Sequence, residues 1–184
     1  MKRKSLLIIL LLSITASFTW YMSKKSMFNE ASPVTNISNG GFSLYKTKIH
    51  ITDKNGQLIY SILAEKAYQD PAKKLLELDN ISIDYMKENQ DSWNLKADSG
   101  EISEDKINIL LKGNVILNNE IADRYPNLIS TDELNLKTEV SLISSEHLVK
   151  IFFRYGNLET IGIEMDLDGE ILNLKSSIYG KFNY

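Results

Sequence analysis

The residues of this chain that could perform metal or nucleophilic chemistry are few and lie far apart. The two histidines, His50 and His147, have no second histidine or carboxylate at the spacing that zinc or iron ligands require. Cysteine is absent, which excludes a disulfide framework, a thiolate zinc site and a cysteine nucleophile. We therefore expect no metal site.

Three further segments contain residue types that are used in catalysis or in calcium binding. Glu164–Gly169 resembles the start of a calcium loop, but Lys175 stands where a bidentate Glu is needed, so a β-turn is predicted instead. Ser145–His147 lacks the strand-turn-helix setting that activates a serine. Four carboxylates cluster beside a predicted turn, where water would solvate them and they would not act as a catalytic acid and base. These are Asp98, Glu101, Glu104 and Asp105. The sequence predicts neither an enzyme nor a cofactor.

Composition describes an ordinary folded protein. The 184 residues are 43% hydrophobic and 24% charged, with a formal net charge of -3. This length fits one domain with an appendage, and these values argue against disorder. No basic stripe is available for a phosphate backbone, so a nucleic-acid partner is not expected.

The start of the chain predicts a membrane anchor. Lys2–Lys4 precede Leu6–Met22, an uncharged run whose 17 residues would span about 25 Å as a helix, close to the roughly 30 Å of a bilayer core. The basic end should stay cytoplasmic, so the chain after Lys24 is exported. A cleaved signal peptide with Leu6–Ile14 as its apolar core is the alternative, but a clean A-x-A site is missing.

The rest of the chain predicts a polar linker and a β domain. We expect a stub and anchor over residues 1–23, a linker over 24–41 and the domain over 42–184. Short alternating runs recur through the domain, and turn-forming pairs separate them, which favours short antiparallel strands. The predicted turns are Asn55–Gly56, Asp70–Pro71, Asp98–Gly100, Gly113–Asn114, Asn118–Asn119 and Asp168–Gly169.

The runs also repeat. Tyr60-x-Ile62-x-Ala64 is echoed about 33 residues later by Trp93-x-Leu95-x-Ala97, each followed by a second apolar run. A hairpin cannot bury its apolar face alone, so successive units should stack around one interior as a groove, jelly roll or solenoid. Periodicity does not distinguish a dry core from a trough open to acyl chains. The clearest inner positions are Tyr60, Ile62, Leu76, Leu78, Trp93, Leu95, Ile109 and Leu111.

Several segments resemble the LptC family, the inner-membrane-anchored periplasmic component of lipopolysaccharide export in Gram-negative bacteria. Gly56–Ala64 resembles the first hairpin motif of that family, and Trp93–Asp98 followed by Leu111–Val115 resembles the central one. Later segments follow in the family order, and the resemblance covers essentially the whole chain. These segments are Ile129–Leu134, Ser145–Val149 and Gly162–Met165.

The resemblance implies an all-β, twisted, boat-shaped β-jelly roll of stacked antiparallel hairpins behind an N-terminal transmembrane helix. Such a protein would hold the lipid A acyl chains, sit on the LptB, LptF and LptG transporter in the inner membrane, and hand lipopolysaccharide to LptA across the periplasm. Phe42–Ile51 would face the transporter and Leu172–Tyr184 would face LptA. Thr47 and Gly162 match positions used for lipid contact and transporter engagement.

The resulting candidate sites are one lipid-binding set and one partner-binding set. A membrane-anchored β-scaffold that assembles envelope proteins without carrying lipid is the main alternative, and a lipocalin-like carrier with a closed barrel is another. Partner contacts are expected at Gly162, Leu174, Ile178 and Tyr179. Lipid contacts are expected at Thr47, Ile49, Tyr60, Ile62, Leu76, Leu78, Ile81, Trp93, Leu95, Ile109, Leu111, Val115, Leu134 and Leu136.

Overall fold

The computed structural model describes residues 41–70, 73–86, 93–119, 126, 128–169 and 171–182. The predicted anchor and the predicted linker as far as residue 40 lie outside these residues. Within the described ranges, no helix is both long and apolar enough to cross a membrane.

The described chain folds into one antiparallel sheet of nine strands, which confirms the predicted all-β class and its antiparallel hairpins. The strands neighbour one another in sequence order from β1 to β9, because each follows its predecessor through a turn or short connection. Their bounds are β1 Phe42–Thr52, β2 Leu58–Asp70, β3 Leu75–Tyr85, β4 Trp93–Ser103, β5 Asn108–Asn119, β6 Leu128–Lys137, β7 Leu142–Phe153, β8 Gly156–Asp166 and β9 Ile171–Phe182.

The strands are longer than predicted, and three predicted turns are wrong because their residues lie inside strands. Asp98–Gly100 lies inside β4 and Gly113–Asn114 lies inside β5. Gly113 and Asn114 do adopt positive φ, at 76° and 45°, as turn residues would. They form a bulge, which bends a strand and leaves its direction unchanged. Asn118–Asn119 forms the end of β5. Asn55–Gly56 and Asp168–Gly169 lie in turns, as predicted.

This bulge belongs to a row of irregular positions that crosses every strand, and we call the row the corner. At the corner the ladder skips residues or shifts register, and φ is positive at Lys46, Asn80 and Ser177. Bulges increase local bending and twist, so a continuous row of them folds a sheet along a line. The corner comprises Lys46, Glu65, Asn80, Asp98, Gly113, Asn114, Asp132, Glu146, His147, Gly162 and Ser177.

The corner also decides which side chains are buried. In β2 the buried apolar positions are Tyr60, Ile62 and Ala64 before the corner, and Ala67 after it. The alternation therefore shifts by one residue, which keeps the apolar side chains on the same face after the strand bends. We call that face the inner face.

The corner divides the sheet into two leaves, to which every strand contributes. The first leaf lies toward the β1–β2 turn, and the second leaf lies toward the β2–β3 turn. In a flat meander with strands about 4.8 Å apart, β2 and the β6–β7 turn would be about 20 Å apart. Instead the Tyr60 hydroxyl lies 3.1 Å from the Ser141 hydroxyl in that turn. The two leaves therefore fold over one another with their inner faces in contact.

Candidate functional site

The predicted inner residues lie on the inner face and share one apolar core. Ile49 and Leu76 are partly buried and pack against this core. The hydroxyl oxygen of Thr47 is buried and has no hydrogen-bond partner among the described residues. The remaining predicted lipid contacts are buried, and these are Tyr60, Ile62, Leu78, Ile81, Trp93, Leu95, Ile109, Leu111, Val115, Leu134 and Leu136.

The sequence prediction missed part of this core. Its additional members continue the same alternation along the strands, but the shift at the corner hides the pattern from a search for uninterrupted runs. A pattern that allowed one bulge in each strand would have found them. They include Ile83, Tyr85, Leu117, Ile129, Val149, Ile151, Ile163 and Met165.

The two leaves pack directly against each other in this structure. Trp93 is 2% exposed, and Leu95 and Leu111 are 0% exposed. Interiors packed to this degree have few voids, so a guest molecule needs the surrounding side chains to move. Any ligand of the inner face therefore requires the leaves to part.

The margin where the leaves meet opposite the corner is held by hydrogen bonds, and we call it the seam. Tyr60 of the first leaf bonds to Ser141, and the Tyr85 hydroxyl donates to the Asp168 carboxylate in the β8–β9 turn. The rings of Tyr60 and Tyr85 are 5.2 Å apart. The Leu167 amide also donates to the Ser141 carbonyl at 2.9 Å, which ties the two turns together.

Burial keeps both seam tyrosines protonated. Desolvation raises the pKa of Tyr60 to about 12, despite the opposing effect of the Ser141 hydrogen bond. Desolvation also raises the pKa of Tyr85, and the hydrogen bond to Asp168 raises it further. Both hydroxyls therefore remain neutral donors far above neutral pH.

A cavity of about 680 Å³ lies beside the seam. Ile51, Ile59 and Val140 supply apolar walls, and Ile59 and Val140 immediately precede the hydrogen-bonded residues Tyr60 and Ser141. The cavity thus joins the β1–β2 turn of the first leaf to the β6–β7 turn of the second. Its polar members are Thr52, Asp53, Lys54, Asn55, Thr138 and Glu139.

The predicted partner residues occupy different surroundings. Leu174, Ile178 and Tyr179 lie on β9, which ends the sheet and has one neighbour among the described strands. Ile178 and Tyr179 are 57% and 68% exposed, whereas Leu174 is partly buried against the core. Gly162 lies in β8 and is buried at the corner with φ at 81°. Its position gives it a role in bending the strand.

The polar pairs of the described chain lie mainly on the outer face. Lys112 bonds to Glu101 at 2.8 Å, and this hydrogen bond raises the pKa of Lys112. Asn114 donates to Asp98 at 2.7 Å within the corner. Within the described residues, no group of three or more His, Cys, Asp or Glu side chains is arranged to hold a metal ion.

Comparison with known proteins gives one result that spans the chain. A family model described as "Lipopolysaccharide-assembly, LptC-related" matches residues 6–183. No curated protein matches the chain.

Proposed function

Because the chain belongs to the LptC family of lipopolysaccharide-assembly proteins, which have a role in lipopolysaccharide transport, we propose that it carries the lipid between its leaves. In this proposal the acyl chains insert along the inner face, and the sugar headgroup stays in water. The apolar inner face, which continues across the described strands, is the observation that carries the proposal.

The chemistry of the lipid supports an interior site. Each methylene group exposed to water costs about 0.8 kcal/mol, so several acyl chains cannot cross an aqueous compartment without cover. Parting the leaves would replace contacts between apolar side chains with contacts to acyl chains. The buried Thr47 hydroxyl, which lacks a partner among the described residues, could then bond to a lipid carbonyl or hydroxyl.

Handover would use the two ends of the sheet. Edge strands have unpaired backbone groups that can pair with another chain, and strand addition would extend one apolar interior into the next without a water gap. We assign β1 to the LptB, LptF and LptG transporter and β9 to LptA. The exposed Ile178, Tyr179 and Phe182 make β9 suited to such an interface.

We further propose that residues 1–23 anchor the chain in the inner membrane and that the β domain lies in the periplasm. The charge pattern of the N-terminal segment and the role of the family in lipopolysaccharide assembly support this proposal. No chemical step is assigned to the chain, since the proposed role is to bind and relay lipid.

The packed interior also favours a second candidate function. A membrane-anchored scaffold that assembles envelope proteins would need a dry core, and the leaves are in direct contact in this structure. The two functions differ in whether lipid ever contacts the inner face.

Photo-crosslinking in cells distinguishes them. A photoreactive residue at Leu78, Leu95 or Leu111 should form lipopolysaccharide adducts, whereas the same residue at Lys112 on the outer face should not. A folded protein that forms adducts at none of the inner positions, while crosslinking to its protein neighbours at Tyr179, would support the scaffold instead.

A further inference from the structure

The two leaves are joined differently at their two margins. At the corner, continuous backbone crosses from one leaf to the other in every strand. At the seam, the Tyr60–Ser141 and Tyr85–Asp168 hydrogen bonds link residues that are 81 and 83 positions apart. Covalent backbone prevents separation at the corner, so parting of the leaves begins at the seam.

The two turns that contain Ser141 and Asp168 are joined to each other. The amide of Leu167, next to Asp168, donates to the carbonyl of Ser141, so the β6–β7 and β8–β9 turns are tied together. Tyr60 and Tyr85 are register partners on adjacent strands and their rings are in contact. Opening the seam therefore separates one tyrosine pair from one pair of turns.

The cavity beside the seam has the mixed lining that the junction of a glycolipid requires. Ile51, Ile59 and Val140 offer apolar contact to an acyl chain, while the exposed Asn55 and Glu139 can bond to sugar hydroxyls. Its apolar wall leads directly to Tyr60 and Ser141, and hence to the inner face behind them.

We propose that acyl chains enter the interior sideways through the seam, with this cavity as the portal and the two tyrosine hydrogen bonds as the gate. The inference rests on the proposed function and names the route by which lipid reaches the inner face. A competing route runs along the inner face from the ends of the sheet at β1 and β9. That route leaves the seam closed.

A removable clamp across the portal tests the gate. Lys54 lines the cavity from the β1–β2 turn and Glu139 lines it from the β6–β7 turn, and both are exposed. Because the chain contains no cysteine, Lys54→Cys with Glu139→Cys can be bridged selectively by a cleavable bismaleimide long enough to span the cavity. The full-length chain in detergent also carries a photoreactive residue at Leu95 and is incubated with lipopolysaccharide before irradiation.

Bridging should lower the yield of lipopolysaccharide adducts at Leu95 by about tenfold, because the state with parted leaves is no longer populated. Cleaving the bridge should restore the yield, which shows that the clamped chain remained folded. The two single-cysteine variants treated with the same reagent serve as matched controls and should label normally.

The two ways of failing are distinct. Undiminished labelling of the bridged chain would overturn the seam as the route and leave the proposed function standing. Absence of labelling in the unbridged chain would overturn the proposed function, and the gate with it.

Discussion

The Tyr60 hydroxyl hydrogen-bonds to the Ser141 hydroxyl at 3.1 Å, although the two residues are 81 positions apart and belong to different leaves of the folded sheet. Together with the bond from Tyr85 to Asp168, this contact joins the two leaves at the seam. Because the apolar core behind these bonds is the proposed lipid site, the seam links the stability of the fold to access to that site.

Tyr85→Phe should destabilise the folded chain by roughly 1–3 kcal/mol, since it removes a partly buried hydrogen bond to a carboxylate and keeps the ring. Urea unfolding of the full-length chain measures this loss. Tyr45→Phe, at a tyrosine that is 49% exposed, is the matched control and should change stability by less than about 0.5 kcal/mol. Equal losses of unfolding free energy in the two variants would mean that the Tyr85–Asp168 hydrogen bond does not stabilise the fold.

Alkaline pH should weaken the fold through the seam tyrosines. An unfolded tyrosine ionises near pH 10, whereas the pKa of Tyr60 is raised to about 12 and that of Tyr85 is also raised. Above about pH 10 the unfolded chain therefore binds fewer protons than the folded chain, and the free energy of unfolding falls as pH rises. Below about pH 10 both tyrosines are protonated in the folded and the unfolded chain, so they do not make the free energy of unfolding depend on pH.

The expected slope is on the order of 1 kcal/mol per pH unit for each tyrosine. Urea unfolding midpoints measured from neutral to alkaline pH give the slope directly. Tyr60→Phe should make the alkaline decline shallower, and an unchanged decline in that variant would contradict the assignment.

Gly162→Ala should destabilise the corner in two ways. The residue has φ at 81°, and a Cβ atom there would lie 2.9 Å from the Lys175 side chain and 3.2 Å from the Ser145 carbonyl oxygen. Gly56→Ala isolates the cost of positive φ from the cost of the steric clash. Gly56 has φ at 83°, but nothing lies within 4 Å of the added Cβ atom.

We expect about 1 kcal/mol of destabilisation for Gly56→Ala and roughly 1–3 kcal/mol more for Gly162→Ala, as measured by thermal or urea unfolding. Similar values for the two variants would show that the corner accommodates the extra methyl group. In that case any functional effect at Gly162 would have to arise from a lost partner contact.

Leu95→Ala should cost about 2–5 kcal/mol, since Leu95 is 0% exposed and its truncation leaves a cavity between the leaves. Leu63→Ala is the control on the outer face of the same leaf, where Leu63 is 44% exposed, and it should cost less than about 1 kcal/mol. Chemical unfolding of both variants tests the assignment of faces. A larger loss at Leu63 would mean that the alternation in β2 is reversed.

The sequence by itself determined the all-β class, the antiparallel hairpins and about half of the buried inner residues. These features depend on local alternation and on nearby turn residues, so a pattern such as Trp93-x-Leu95-x-Ala97 is sufficient to predict them. The family was also readable from short segments along the chain, and the match over residues 6–183 bears it out.

Only the tertiary structure decided whether Gly113–Asn114 reverses the chain or bends it. Both outcomes use the same positive φ, and the choice depends on whether neighbouring strands continue the ladder beyond the irregular position. Because that pairing was invisible locally, two segments of the corner were mistaken for turns and several inner residues beyond it were missed.

The seam was equally hidden. Tyr60 and Tyr85 look like ordinary core residues in the sequence, and Ser141 and Asp168 look like ordinary turn residues. Their pairing arises only because a row of bulges folds the leaves together, and hydrogen bonds between positions about 80 residues apart leave no local pattern in the sequence. Local chemistry therefore set the strands, and contacts between distant residues set how the sheet closes over its apolar face.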